Sequence, residues 1–375
     1  MAKSVVYASF AFTCSLSLVI TVSVALSPVV IEKQILWQSG REGEIAYYRT
    51  PMLTNTPTGD ILAFAGSRKY SSSDKVQKIA TMRRSRDHGS TWDPTLFVVQ
   101  DLGPGTDYFN FGTITVDYVA NSLVFLYCHC PHNVCTDSLP TLFMMRSFDW
   151  GYSWGKAVNL SKANPDFYNF PYCPGPGYGI QKRLEPHKGR LISCGHRIGA
   201  FRAMHCLVSD DHGDTWKIAG TVPTIPYGQS HKTGDFEMDE STIVELPDGS
   251  LLLNSRNQYH YHCRCRIIAR SHDGGNSFPF EEISMDATLI DPACAGSLLL
   301  HNDIMFFSNP ANPSKRVNMT VRWSEDYGKT WAGALVVDPG DSEYSCLSSV
   351  DDNHIGLLYE KGGYEEMAFA KIRIH

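Results

Sequence analysis

The sequence has little charge and, after its first residues, no long apolar run, and both absences narrow its possible classes. Charged residues make up 19% of the 375 residues and the formal net charge is −6. A chain without a surplus of Lys and Arg is poorly suited to binding nucleic acid through phosphates. No later segment approaches the roughly 20 apolar residues of a membrane-spanning helix. The 43% of hydrophobic residues is enough for a packed core, so we expect a globular, β-rich chain.

The N-terminus is the exception to this distribution. Lys3 precedes an apolar run from Val5 to Leu26, and small residues and Pro28 follow it. This order predicts a secretory signal peptide over residues 1–27, with a retained signal anchor as the alternative. No linker or charge run divides the remainder, so residues 28–375 are expected to form one domain.

Ten cysteines remain after Cys14 is subtracted, and an even number permits disulfides in an oxidising compartment. Two glycosylation sequons fit the same compartment, at Asn159 and Asn318.

An octapeptide of the form Ser-x-Asp-x-Gly-x-Thr/Ser-Trp/Phe occurs five times. The copies start at intervals of 62, 62, 62 and 53 residues, at Ser85, Ser147, Ser209, Ser271 and Ser324. The Asp can cap turn amides and the Gly supplies a positive φ, so each copy predicts a tight hairpin whose aromatic residue re-enters the sheet as a buried anchor. Repeats of this period favour an all-β propeller. Five copies plus one closing blade, made from C-terminal and N-terminal strands, predict six blades.

These octapeptides resemble the Asp-boxes of the sialidase superfamily, where such boxes are structural. Further motifs resemble the animal lysosomal sialidases, in the order that the family has them, over nearly the whole chain after the signal peptide. They are Tyr48–Pro51, with Thr50 in place of the usual Ile, Ala65–Asp74, Gly175–Lys182, Asp239–Gly249, Leu253–Gln258, Tyr261–Ile267, Asn309–Asn318, Glu343–Cys346 and Leu357–Gly362. The resemblance implies a six-bladed propeller and an enzyme that removes terminal sialic acid.

The resemblance also implies a set of substrate-binding arginines. Arg49, Arg256 and Arg316 match the family's triad for the sialic acid carboxylate, and Arg68 matches a further arginine in the same site. Arginine suits this task because its planar fork makes two charge-assisted hydrogen bonds to one carboxylate. Glu360 matches the glutamate that orients the first arginine.

The catalytic residues are implied in the same way. The carbon under attack carries a carboxylate, so a neutral tyrosine hydroxyl avoids the repulsion that an anionic nucleophile would meet. Sialidases with a tyrosine nucleophile are the known exception to the two-carboxylate pattern of glycosidases. Tyr344 matches that nucleophile, Glu240 the base that activates it, and Asp74 the acid that protonates the leaving oxygen and later activates water.

Two clusters of Cys and His raise the question of a metal. Residues 128–135 and 260–265 both interleave the two residue types. Along a strand, His260 and His262 would share one face and Cys263 and Cys265 the other, so four ligands would not converge. For the first cluster, disulfide pairing is the simpler interpretation. The mechanism implied by the resemblance needs neither a metal nor a cofactor.

The sequence therefore predicts a retaining exo-α-sialidase acting on glycoproteins, oligosaccharides or gangliosides. A catalytically inactive propeller that binds sialoglycans, a trans-sialidase and an enzyme specific for deaminated sialic acid are the alternatives. The expected compartment is the secretory pathway, most of all the lysosome lumen, with secretion or membrane anchoring as alternatives. The resemblance also implies a protective partner similar to a serine carboxypeptidase, and it leaves the oligomeric state open.

Overall fold

A computed structural model describes residues 26–74, 76–100, 108–130, 141–167, 172–198 and 201–375. The predicted signal peptide lies almost wholly outside these residues. Within them, no helix is both long and apolar enough to cross a membrane. In the same ranges, helical structure is confined to single turns, at Leu160–Ala163, Pro165–Phe167 and Phe280–Glu282.

Strands make up nearly all the regular structure of these ranges. In chain order they are β1 Val29–Gln38, β2 Tyr47–Asn55, β3 Ile61–Arg68, β4 Lys78–Ser85, β5 Leu96–Gln100, β6 Tyr108–Asp117, β7 Ser122–Cys130, β8 Thr141–Ser147, β9 Val158–Asn159, β10 Tyr172–Pro174, β11 Gly177–Tyr178, β12 Ile180–Gln181, β13 Leu191–Arg197, β14 Ala203–Ser209, β15 Lys217–Pro223, β16 Met238–Glu245, β17 Leu251–Asn257, β18 Cys265–Ser271, β19 Ile283–Ile290, β20 Ser297–His301, β21 Ile304–Pro310, β22 Val317–Ser324, β23 Gly333–Asp351, β24 His354–Lys361 and β25 Glu366–Arg373.

The strands follow one another as antiparallel meanders. Two sheets have the orders β2-β3-β4-β5 and β16-β17-β18-β19. A third runs β11-β6-β7-β8-β9, and a fourth runs β10-β13-β14-β15 with β12 also on β13. The fifth has seven strands, in the order β1-β25-β24-β23-β22-β21-β20. The N-terminal strand β1 thus pairs with the C-terminal strand β25, as the sequence predicts for the closing blade.

Six separate sheets are not observed among the described residues. The reason lies in β23, which is 19 residues long. Its first half pairs with β22 and its second half with β24, so hydrogen bonding continues from one meander into the next. The structure therefore has five hydrogen-bonded sheets where the sequence predicts six blades.

The hydrophobic core lies between consecutive sheets rather than within one sheet. Phe64 and Met82 of the first sheet pack in one cluster with Phe125 of the next. A second cluster joins Met204 on β14 to Leu253 on β17. Because strands bury both faces in this way, many of them read as continuous apolar runs, such as Ile61–Ala65 with no exposed residue.

The five octapeptides form the predicted turns with the same hydrogen bonds in each copy. The Gly amide donates to the Ser hydroxyl at 2.6–2.9 Å. The amide of the Thr or Ser donates to the Asp carboxylate at 2.8–2.9 Å. In each copy both the Gly and the residue before it have positive φ, for example His212 at 61° and Gly213 at 84°. The prediction of a buried aromatic anchor is correct for Trp216 and Phe278, but it is wrong for the other three aromatic residues, which are half-buried.

Candidate active site

Four strands of different sheets carry the same irregularity in their pairing with the next strand. On β2, β6, β16 and β23, two residues oppose a single residue of the next strand. Such a bulge bends the strand and re-aims its side chains. The residue pairs on the bulged strands and their single partners are Thr50–Pro51 opposite Ala65, Phe111–Gly112 opposite Tyr127, Asp239–Glu240 opposite Arg256, and Glu343–Tyr344 opposite Glu360. Four of the sequence-predicted site residues therefore lie in these bulges.

Tyr344 lies between a carboxylate and a guanidinium. Its hydroxyl donates a short hydrogen bond to Glu240 Oε1. Arg256 Nη1 lies 2.7 Å from Glu240 Oε2 and donates to Tyr344 Oη at 3.2 Å. Burial, together with the charge of Glu240, raises the pKa of Tyr344 well above its ordinary value. The resting group is thus a neutral phenol whose proton already points at a carboxylate.

Glu360 connects β2 to β23. Its fully buried carboxylate accepts from Arg49 Nε at 3.3 Å, from the Thr50 amide at 2.7 Å and from the Tyr344 amide at 3.0 Å. Arg49 and Arg316 lie 5.7 and 5.5 Å from the centre of the Tyr344 ring. The structure therefore brings Arg49, Arg256 and Arg316 together around one tyrosine.

Asp74 lies on the exposed loop between β3 and β4, at the edge of this cluster. Its carboxylate lies 2.8 Å from Arg68 Nη2 and 3.6 Å from Arg49 Nη1, and its side chain is 72% exposed. Desolvation favours the neutral acid, but Arg68, Lys78 and Arg49 together lower the pKa of Asp74. Lys78 Nζ donates to the Asp74 carbonyl at 2.8 Å and thereby ties down the loop. In the free protein Asp74 is therefore an anion.

Sequence reasoning missed several residues of the same cluster. Tyr364 accepts from Arg316 Nη1 at 3.1 Å, and Arg49 lies 4.1 Å above its ring. The one signal for it was its position after Gly362 and Gly363, in the turn that follows β24.

Two further acids occupy the first position of a bulge. Glu343 is 4% exposed, and burial together with the charge of Glu360 raises its pKa to about 7. Asp239 lies 2.9 Å from His196 Nδ1. Although burial lowers the pKa of His196, the charge of Asp239 raises it to about 9. Neither acid could be distinguished in the sequence from the neighbour to which a role was assigned.

The Cys and His clusters do not form a metal site among the described residues. Residues 260–264 form a turn rather than the strand assumed in the argument against a metal, because His260 and His262 have positive φ and β18 begins only at Cys265. Cys263 and Cys265 form a disulfide with each other, and a second joins Cys194 to Cys206. Of the first cluster, residues 131–135 lie outside the described ranges.

Comparison with known proteins now identifies the family. The model of the BNR repeat-like domain matches residues 112–359. The chain belongs to the sialidase/BNR-repeat superfamily. A sialidase of Micromonospora viridifaciens is 32% identical over 88% of this chain, which spans 52% of that protein. Sialidase-2 of Mus musculus is 23% identical, over 91% of this chain and 94% of its own length.

Solved structures of the superfamily have the same fold. The Hadza microbial sialidase Hz136 superposes with a TM-score of 0.73 at 25% identity, over 88% of this chain and 66% of its own. The intramolecular trans-sialidase from Ruminococcus gnavus also superposes with a TM-score of 0.73. Its identity to this chain is 17%, over 92% of this chain and 98% of its own. These likenesses confirm the all-β propeller. Membership of the lysosomal subgroup is not shown, because the sialidases of Micromonospora viridifaciens, Bacteroides fragilis and Aspergillus fumigatus have higher identity to this chain than Sialidase-2 of Mus musculus.

Proposed function

We propose that this BNR-repeat protein is an exo-α-sialidase, a glycoside hydrolase that removes terminal sialic acid with retention of configuration. The observation that carries the proposal is the Tyr344 hydroxyl, which lies between Glu240 and Arg256 with two further arginines beside its ring. A carboxylate that takes the phenol proton makes the oxygen a nucleophile without a resting anion. Such an anion would repel the negatively charged substrate.

The arginines provide the recognition step. Arg49, Arg256 and Arg316 are permanently charged and approach Tyr344 from three strands or loops. A carboxylate on the carbon under attack would accept their hydrogen bonds and lie next to the phenol oxygen. Glu360 holds Arg49 from behind, so this arginine loses little side-chain freedom when a substrate binds.

Asp74 is the proposed acid, and its resting partners explain how it could gain a proton. In the free protein Arg68 and Arg49 hold it as an anion. A substrate carboxylate that takes up Arg49 weakens this stabilisation and adds a negative charge nearby. Both effects raise the pKa of Asp74, so substrate binding itself favours the protonated form that a leaving oxygen needs.

The chemical steps balance with these three residues. Tyr344 Oη bonds to the anomeric carbon as Glu240 takes its proton, and Asp74 gives its proton to the departing glycosidic oxygen. Water then loses a proton to Asp74 and attacks the same carbon, and the phenol oxygen leaves and regains its proton from Glu240. Two displacements at one carbon retain its configuration.

The test is a fluorogenic sialoside assayed across acidic to neutral pH, combined with covalent trapping. A 3-fluoro sialosyl fluoride should add its sialosyl mass to the peptide that contains Tyr344. Glu240→Gln should slow this labelling because the phenol loses its proton acceptor. A label on Asp74 or Glu240 would refute the assignment of the nucleophile. Absence of both turnover and labelling, with sialoside binding retained, would favour the inactive sialoglycan-binding alternative.

Intramolecular transfer is the second candidate, favoured by the structural likeness to the Ruminococcus gnavus enzyme. If a hydroxyl of the bound sugar attacked the tyrosyl intermediate in place of water, the product would lack one water relative to free sialic acid. Mass spectrometry of the released sugar separates the two reactions, and an added acceptor sugar detects transfer to a second molecule.

Finer features belong to the same proposal. We propose six blades, in which the seven-stranded sheet counts as two that share β23. The two disulfides support an oxidising compartment and hence entry into the secretory pathway. A lysosomal location, a cleaved signal peptide, glycoprotein and ganglioside substrates and a carboxypeptidase-like partner rest on the sequence resemblance alone.

A further inference from the structure

Two thiols that the proposed mechanism does not use lie against each other below the Asp74 loop. Cys128 is on β7 and Cys173 is on β10, in two different sheets, and their sulfur atoms are 3.4 Å apart. Both are buried, Cys128 completely, while Cys173 is 7% exposed. A disulfide needs a separation of about 2.05 Å, so a shift of little more than 1 Å would bring the sulfur atoms to bonding distance.

Polar groups connect this pair to the candidate active site. Asn110 Nδ2 donates to Cys173 Sγ at 3.7 Å, and Asn110 Oδ1 accepts from Lys78 Nζ at 3.0 Å. The same Lys78 Nζ donates to the Asp74 carbonyl. The thiol pair is thus three hydrogen bonds away from the loop that carries Asp74.

The two thiols are not equivalent. The hydrogen bond with Cys128 lowers the pKa of Cys173 to about 7 against the effect of burial, with His196, Asn110 and Lys78 adding to this lowering. The same hydrogen bond and burial raise the pKa of Cys128. Since the thiolate is the reactive form, Cys173 is the sulfur that would react first, and it is also the more accessible of the two.

We propose that Cys128 and Cys173 are a redox-active pair that closes to a disulfide between the two sheets. With hydrogen peroxide as oxidant, the Cys173 thiolate attacks one peroxide oxygen, and the departing hydroxide takes a proton to become water. Cys173 is then a sulfenic acid. The Cys128 sulfur attacks the oxidised sulfur, and the sulfenic oxygen leaves as a second water with the Cys128 proton. Two thiols and one peroxide give one disulfide and two waters.

The experiment uses the full chain, first treated with a mild reductant under native conditions and then titrated with peroxide. Remaining thiols are alkylated under denaturing conditions, and the peptides are mapped without reduction. We expect a loss of 2 Da and a cross-link between Cys128 and Cys173. The buried free thiols Cys294 and Cys346 serve as internal controls and should be alkylated.

Single variants test the order of the two steps. Cys128→Ser should leave a sulfenic acid on Cys173 that a dimedone probe captures, whereas Cys173→Ser should leave none on Cys128. Peroxide-treated wild type in which both thiols are still alkylated would overturn the proposal, as would Cys128 joined to Cys130 or Cys135. These readouts are masses, so they do not depend on whether the protein is a sialidase.

Discussion

The acids of the octapeptide turns and the acids of the candidate site show opposite ways of stabilising a carboxylate. Asp87 is exposed and accepts from its own turn, from the amide and hydroxyl of Thr91 four residues later. Those bonds lower its pKa to about 2. Glu360 is fully buried and accepts from Arg49, 311 residues away in the chain. Both carboxylates are satisfied, but only the second holds distant segments together.

The difference separates acids that form a fold from acids that form a site. All five turn aspartates use their oxygens on residues within four positions, so they have little capacity left for a ligand. In the bulges, by contrast, Glu240 accepts a hydrogen bond from Tyr344 of another sheet and pairs with Arg256 on the neighbouring strand. An aspartate in a repeated motif is therefore a poor catalytic candidate. Its repetition indicates a structural role inside each turn, whereas a catalytic acid is needed at one place only.

The largest expected effect is that of Tyr344→Phe. The change removes the proposed attacking oxygen and keeps the ring, so turnover should fall by about a thousandfold or more while the melting temperature hardly changes. The matched control is Tyr152→Phe, which removes a hydroxyl that accepts from Arg86 at an octapeptide turn and should leave turnover unaltered. Near-normal activity of Tyr344→Phe would refute the assignment.

Arg316→Lys should have the next largest effect. A lysine keeps the charge but cannot make two parallel hydrogen bonds, and one charge-assisted bond contributes about 1.5–3 kcal/mol. We expect kcat/KM to fall about tenfold to a hundredfold. Arg86→Lys, in a turn, is the control and should not change kcat/KM. Equal values for Arg316→Lys and wild type would remove Arg316 from the substrate site.

Glu343→Gln should change the pH dependence of stability. The pKa of Glu343 is raised in the folded protein from 4.5 to about 7. Between pH 4.5 and about pH 7 the folded state keeps a proton on Glu343 that the unfolded state has lost. The free energy of unfolding therefore falls as the pH rises through this range. Removing the charge should stabilise the protein by about 2 kcal/mol at pH 7.5 and hardly at all at pH 4. Thermal melts at both pH values check this, with the exposed Glu325→Gln as control; a pH-independent effect would contradict it.

Gly213→Ala should have the smallest effect of the four. Gly213 has a φ of 84°, and an added Cβ would lie 3.0 Å from Arg146 Nη2. The cost should be about 1 kcal/mol in the free energy of unfolding, with turnover per folded molecule unchanged. Gly340→Ala, where φ is not positive, is the control. If the two variants have the same melting temperature, avoiding strain at a positive φ is not the role of the glycine in the turn.

The site was predictable only where a residue stood in a motif. The matched motifs led to Arg49, Arg256, Arg316, Glu240, Tyr344 and Glu360, and the structure brings these six together. Tyr364, Glu343 and His196 were missed because their roles depend on which strands lie beside them. The turn at residues 260–264 was missed because His260 and His262 adopt positive φ there, which the residue type histidine does not predict.

The β-rich class, the five turns and the pairing of the first strand with the last could all be predicted from the sequence. These depend on hydrogen bonds within eight residues and on a repeat that can be read along the chain. Two features became evident only in the assembled fold: β23 joins two meanders into one sheet, and the bulges of β16 and β23 bring Glu240 and Tyr344 together. The pKa values of Tyr344 and Glu343 were decided there too, because burial and neighbouring charge are properties of an assembled site and not of a segment.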